Sequence, residues 1–153
     1  MKEKNIIQTN KKAYFDYEII SSLEVGIELY SYEIKQIVNK LCNIKGSFAK
    51  IINDEIFLFD MNIEKYPQAV FYIELDPKRS RRLLLKKKEI KNLHSEMKTN
   101  QHLTLVPLEI YINDNSKCKL LLGLCKGKKN YDKKETIKER DINRDISRDV
   151  DRN

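Results

Sequence analysis

At 153 residues the chain can hold one domain with a real core plus a tail; 35% of it is charged, with a net charge of +7. That basic excess favours a nucleic acid or another anionic surface, and no apolar run approaches the roughly 18 residues of a membrane-spanning helix. Three cysteines without a C-x-x-C pair and two histidines, His94 and His102, offer no zinc cluster of ordinary spacing.

Residues 1–12 are polar and lysine-rich, without the apolar region of a signal peptide. Aromatic and β-branched residues predict strands over 14–20 and 24–30, broken at Ser21-Ser22. Residues 32–41 read as a helix, with Ile34, Ile37, Val38 and Leu41 on one stripe. A hairpin follows, 48–52 against 56–59, turning at Asn53-Asp54. Residues 61–63 and 70–73 are short extended candidates. Residues 80–98 look helical, with Leu83, Leu84, Ile90, Leu93 and Met97 as the apolar face. A long strand over 103–112 then pairs with 117–125. Cys42, Cys118 and Cys125 read as buried thiols of a reducing compartment.

About six short strands with two interposed helices lack the regular alternation that crossover connections need. The expected fold is therefore mainly β, a closed β-barrel, because closure removes exposed sheet edges. From Lys126 onward the composition changes. Ten basic and seven acidic residues leave too few apolar side chains to build a core. From Arg140 the sequence repeats every four residues (RDIN, RDIS, RDVD), which on a helix aligns Arg140, Arg144, Arg148 and Arg152. The expected organisation is an RNA-binding barrel domain, 1–125, and a basic tail, 126–153, disordered when free and helical when docked.

No G-x-S-x-G elbow and no phosphate-cradling G-x-x-x-x-G-K-[ST] loop occurs, so the chain reads as no enzyme, with no cofactor and no metal. Basic clusters with aromatic neighbours are the stronger signal. Asn10, Lys11, Lys12, Tyr14 and Phe15 combine amines, an amide and rings, the set that grips single-stranded or looped RNA. Lys78, Arg79, Arg81 and Arg82 place four cations at the expected start of the 80–98 helix. There they oppose the helix dipole unless an anion arrives. The third cluster is Lys126, Gly127, Lys128 and Lys129 with Tyr131.

These segments together resemble the SsrA-binding protein family (small protein B), partners of transfer-messenger RNA in trans-translation. The resemblance runs from Asn5 to Asp141. It rests on NKKAY (10–14), EIK (33–35), FLFDMNI (57–63), DPKRSRRLLLKKKEI (76–90), LTLVPLEIYI (103–112) and GLCKGKKNYDKKETIKERD (123–141) in one order. It implies an oligonucleotide-binding-type barrel with two to three flanking helices. Asn10, Glu24 and Leu84 would contact the tRNA-like domain of the RNA. Gly127, Lys128, Lys129, Tyr131, Asp132, Lys133 and Lys134 would carry the tail into the decoding centre and the empty messenger channel of a stalled ribosome. Tyr131 would stack on a ribosomal base, Lys133 and Lys134 would clamp phosphates, and Asp132 would cap a helix. The implied protein is a bacterial-type cytoplasmic factor, or one from an organelle of bacterial origin, with no membrane and monomeric when free. The alternative is a general oligonucleotide-binding-fold factor of translation or ribosome assembly. Phe15, Val38, Lys40, Leu75 and Lys134 depart from the family's usual residues.

Overall fold

The computed structural model describes residues 5–65, 76–100 and 102–128. The expected 70–73 segment and the tail from Lys129 onward lie outside them. The chain is mainly β. Its elements are β1 (Asn5–Thr9), α1 (Lys11–Asp16), β2 (Tyr17–Ile27), α2 (Ser31–Val38), β3 (Cys42–Asn43), β4 (Phe48–Ile52), β5 (Glu55–Phe59), β6 (Asn62–Ile63), β7 (Arg81–Leu84), α3 (Lys87–Thr99), β8 (Leu103–Ile112) and β9 (Cys118–Gly127). Among the described residues no helix is long and apolar enough to cross a membrane.

The main sheet runs β1-β8-β4-β5-β7-β2-β9, and β9 pairs again with β8. That second pairing joins six strands, β8 to β9, into a ring, with β1 attached outside along Asn5–Thr9. Alternate residues point inward, as the two-residue side-chain period of a strand requires. Val25, Ile56, Leu58, Leu83, Leu105, Ile110, Leu120, Leu122 and Leu124 fill the ring, and Ile37, Ile90 and Leu93 reach it from the helices. A smaller cluster lies on the outer face, where Ala13 of α1 covers Val106, Leu108 and Cys125.

Several expectations hold. The β4–β5 hairpin pairs in full from Phe48↔Phe59 to Ile52↔Glu55. Asn53 and Asp54 both take positive φ, 50° and 64°, the conformation of a tight hairpin turn. β8 has the expected ends, and of the three free thiols Cys118 and Cys125 are buried as expected while Cys42 is half-buried. Burial pushes Cys42 and Cys125 up to about 11 and Cys118 up to about 12, so all three stay protonated at neutral pH.

Four expectations fail for identifiable reasons. Residues 14–16, expected to open the 14–20 strand, belong instead to helix α1: the Asn10 side chain accepts the Ala13 N–H at 3.2 Å and caps a turn and a half. β2 then runs unbroken through Ser21-Ser22, absorbing Ile20 as a bulge between Ile19 and Ser21. Helix α2 stops at Val38, which is 51% exposed, and its buried face carries Glu33, Gln36 and Ile37 instead of the apolar stripe. Most consequential, residues 81–84 form strand β7, hydrogen-bonded on both sides, to β2 through Gly26↔Leu84 and to β5 through Leu58↔Arg81. The helix begins at Lys87, where Glu89 accepts the Lys86 N–H at 3.0 Å. The four cations at 78–82 therefore stand at no helix N-terminus.

Candidate nucleic-acid interface

The basic segment 78–82 divides into residues with opposite fates. Arg81 is 1% exposed. Its five N–H groups are all engaged. Nε and Nη2 donate to Glu33 Oε2 at 3.2 and 2.8 Å, Nη2 also to the Pro77 carbonyl at 2.9 Å, and Nη1 to the carbonyls of Met61 and Arg79 at 2.6 and 3.1 Å. Arg79 donates to the other oxygen of Glu33, and its guanidinium lies 4.8 Å from the Tyr30 ring centre. Burial opposes ionisation of Glu33. Hydrogen bonds from Arg79, the Tyr30 N–H and Arg81, with the charge of Arg81, outweigh that and hold the carboxyl below its usual range. Arg82, in contrast, lies on the surface between Glu28 at 2.8 Å and Glu55 at 3.3 Å, and Lys78 is exposed. Arg81 has no donor left for a phosphate; its work is structural.

Asn10 is likewise 2% exposed and spent on the fold. Besides capping α1, its amide donates to the Pro107 carbonyl at 2.9 Å, and its backbone N–H to Leu108 at 2.7 Å. The β8 bulge between Pro107 and Glu109 provides those carbonyls. Asn10 thus sets α1 across β8, with Lys11, Lys12 and Tyr14 exposed and Phe15 half-buried. Burial, ahead of Glu109 and Cys125, pushes the Tyr14 hydroxyl pKa up.

Glu24 and Leu84, distant in sequence, meet on the outer face of the ring. Leu84, Gly26, Lys119 and Tyr111 form one row across four strands, and Glu24, Leu121 and Glu109 the next. Leu84 is 46% exposed and lies over Gly26, where an added Cβ would meet the Leu84 Cβ at 3.2 Å. Glu24 is exposed, and one of its oxygens accepts the hydroxyl of Tyr111, a side chain otherwise 97% covered by its neighbours, being 3% exposed. Burial first, then Glu24 and Glu109, shift the Tyr111 pKa up, so it stays a donor. The Tyr111 anchor was not legible in the sequence, because it depends on the alignment of β8 and β2 across β9.

β9 continues two residues past Cys125. Lys126 pairs with Glu18 and Leu103, and Gly127 with Tyr17. The Lys128 N–H then donates to Asp16 at 3.0 Å and its ammonium to the Tyr14 carbonyl at 3.2 Å, so the root of the tail lies beside α1. Lys129, Tyr131, Asp132, Lys133 and Lys134 lie outside the described residues.

The class this geometry defines is a basic, mainly β protein with Lys11, Lys12, Glu24 and Leu84 exposed on the outside of a ring of strands. Comparison with known proteins then gives the family. The model of the SmpB protein family matches residues 7–152, and the chain belongs to that family. It is 46% identical over 138 residues to the SsrA-binding protein of Thermosipho africanus, spanning 90% of this chain and 91% of the relative. It is 49% identical over 138 residues to the SsrA-binding protein of Mesoplasma florum, with the same coverage. A solved structure described as "tmRNA-SmpB: a journey to the center of the bacterial ribosome" contains a similar chain. It has 35% identity and a TM-score of 0.58, over 89% of this chain and 94% of that one.

Proposed function

We propose that this protein binds the tRNA-like domain of a transfer-messenger RNA and delivers it to stalled ribosomes, acting without catalysis in the bacterial cytoplasm. The observation that carries the reading is the match, over nine-tenths of the chain, to proteins named for binding SsrA. The outer face supports it. Glu24 repels phosphates, so it suits the donor edges of bases and 2′-hydroxyls, while Leu84 offers a shape contact and Lys11 and Lys12 offer backbone contacts. The ring of strands is read as an oligonucleotide-binding-type barrel, monomeric when free. The body extends to Lys128, three residues beyond the break in composition, and the tail after it enters the messenger channel.

Isolating the protein from cells and sequencing the bound RNA tests the reading. Enrichment of a transfer-messenger RNA is expected; bulk ribosomal or mixed messenger RNA without it would overturn the proposal.

Tyr111 serves in this reading as a positioning residue for Glu24. Tyr111→Phe is expected to lower affinity for the RNA about three- to tenfold, less than the full worth of a charge-assisted hydrogen bond because only the placing of Glu24 is lost. The salt dependence of binding should not change, because no phosphate contact is removed. An unaltered affinity in filter binding would show that Glu24 needs no anchor.

A further inference from the structure

We propose that the cleft between α1 and the 43–47 turn is a phosphodiester-binding subsite, with Lys45 as its third cation. The inference rests on the RNA-binding reading above and adds a residue from a segment that reading does not use. The cleft encloses about 350 Å³, and Lys11 and Lys12 face it from α1 while Lys45 faces it from the turn. Phe15 and the end of β1 complete its walls, and no carboxylate lines it. Among the described residues none of the three ammonium groups has an ion-pair partner. Three like charges around one concavity raise the local potential and concentrate anions there.

Both walls are built before any ligand arrives. Gln8 of β1 accepts the Ile44 N–H at 2.8 Å and donates to Asn43 Oδ1 at 2.9 Å; the same Oδ1 accepts the Lys45 N–H at 2.9 Å. Ile44 is 0% exposed, Ser47 donates to its carbonyl, and Gly46 closes the turn at φ 79°. Core burial on one side and the polar braces on the other leave Lys45 pointing outward. Opposite it, the Asn10 cap and its bond to β8 fix α1. A preorganised site loses little ordering entropy on binding.

The charged groups of the cleft suit the RNA backbone. Gln8 and Asn10 are the amides of the cleft, and each has both its oxygen and its nitrogen engaged in holding the fold. The three ammonium groups that remain are point charges, suited to phosphate oxygens at any sequence, beside the Thr9 hydroxyl and the Phe15 ring.

The test is the salt dependence of binding by the full-length protein, with transfer-messenger RNA and with a canonical tRNA as competitor. Lys45→Ala, on an exposed side chain, is expected to weaken binding about two- to fivefold near 0.15 M salt and to lower the salt slope by about 1. Lys45→Glu should weaken it further, and both variants should keep the wild-type preference between the two RNAs. Unchanged affinity and slope for Lys45→Ala, or an equal loss for Lys91→Ala on α3, would overturn the subsite. Absence of any preference in the wild-type protein would instead overturn the proposed function, leaving the Lys45 effect to stand or fall separately.

Discussion

Glu33→Ala is expected to lower folding stability by about 3–5 kcal/mol, read as a shift of the urea midpoint at unchanged slope. Glu33 is 3% exposed, and the guanidinium of Arg81 beside it is buried on all sides. Removing the carboxylate strands that guanidinium without its counter-charge and leaves Nε without its acceptor. It also sets the charges of Arg79 and Arg81 against each other. Glu33→Gln, which keeps an acceptor and loses the charge, should fall between. Adding Arg81→Met to Glu33→Ala should restore part of the loss, because the penalty comes from an unpaired buried charge. A loss under about 1 kcal/mol for Glu33→Ala would show the network to be solvated.

The same network sets a pH dependence. The folded-state pKa of Glu33 is held down, so the unfolded chain takes up a proton first as pH falls. The contribution of Glu33 is complete above about pH 4.5, its ordinary value, and is lost as pH drops through the lower folded-state value. The stability gap between wild type and Glu33→Ala should therefore narrow as pH falls below about 4.5, with wild type approaching Glu33→Gln. The consequence reaches the outer face, because Arg81 joins α2 to β7, and β7 carries Leu84 onto Gly26.

The burial of Glu33 explains what sequence reasoning could and could not see. An E-I-K segment on a helix reads as solvated, and its partner lies in another segment that itself looks helical. Residues 80–98 are rich in Arg, Leu and Lys, all good helix formers, and a run of three leucines fits either period. Pairing on both edges, to β2 and β5, overrides that propensity at Arg81–Leu84. Tyr14, Phe15 and Tyr17 likewise suggest a strand by composition, while the Asn10 cap and the β8 bulge hold 11–16 in a helix. The β4–β5 hairpin was legible because its turn residues and its alternation agree. Of the candidate RNA contacts, exposure at Lys11, Lys12, Tyr14, Glu24, Lys78 and Leu84 is compatible with the roles expected for them. Asn10 and Arg81 illustrate the opposite case, in which a residue marked by its motif is consumed in positioning its neighbours.

Deleting residues 129–153 is expected to leave affinity for transfer-messenger RNA within about threefold while abolishing tagging of stalled chains. The cut matters. Ending the chain at Cys125 removes Lys126 and Gly127, which pair with Glu18, Leu103 and Tyr17, and would weaken both edges of β9. Ending it at Lys128 keeps the ladder and the bond from the Lys128 N–H to Asp16. The outer-face residues Glu24, Leu84 and Tyr111 are then untouched, so RNA affinity should follow the body. Tagging should follow the tail, where the proposed reading would have Lys129, Lys133 and Lys134 supply phosphate contacts and Tyr131 a stacking ring. Stacking on one base is worth about 1–3 kcal/mol, so Tyr131→Ala in the full chain should lower tagging more than affinity. Both quantities are accessible together, by titrating labelled RNA and by following tag addition on a truncated message in reconstituted translation. A drop in affinity beyond tenfold on removing 129–153, or tagging that survives it, would mean that body and tail do not divide the work in this way.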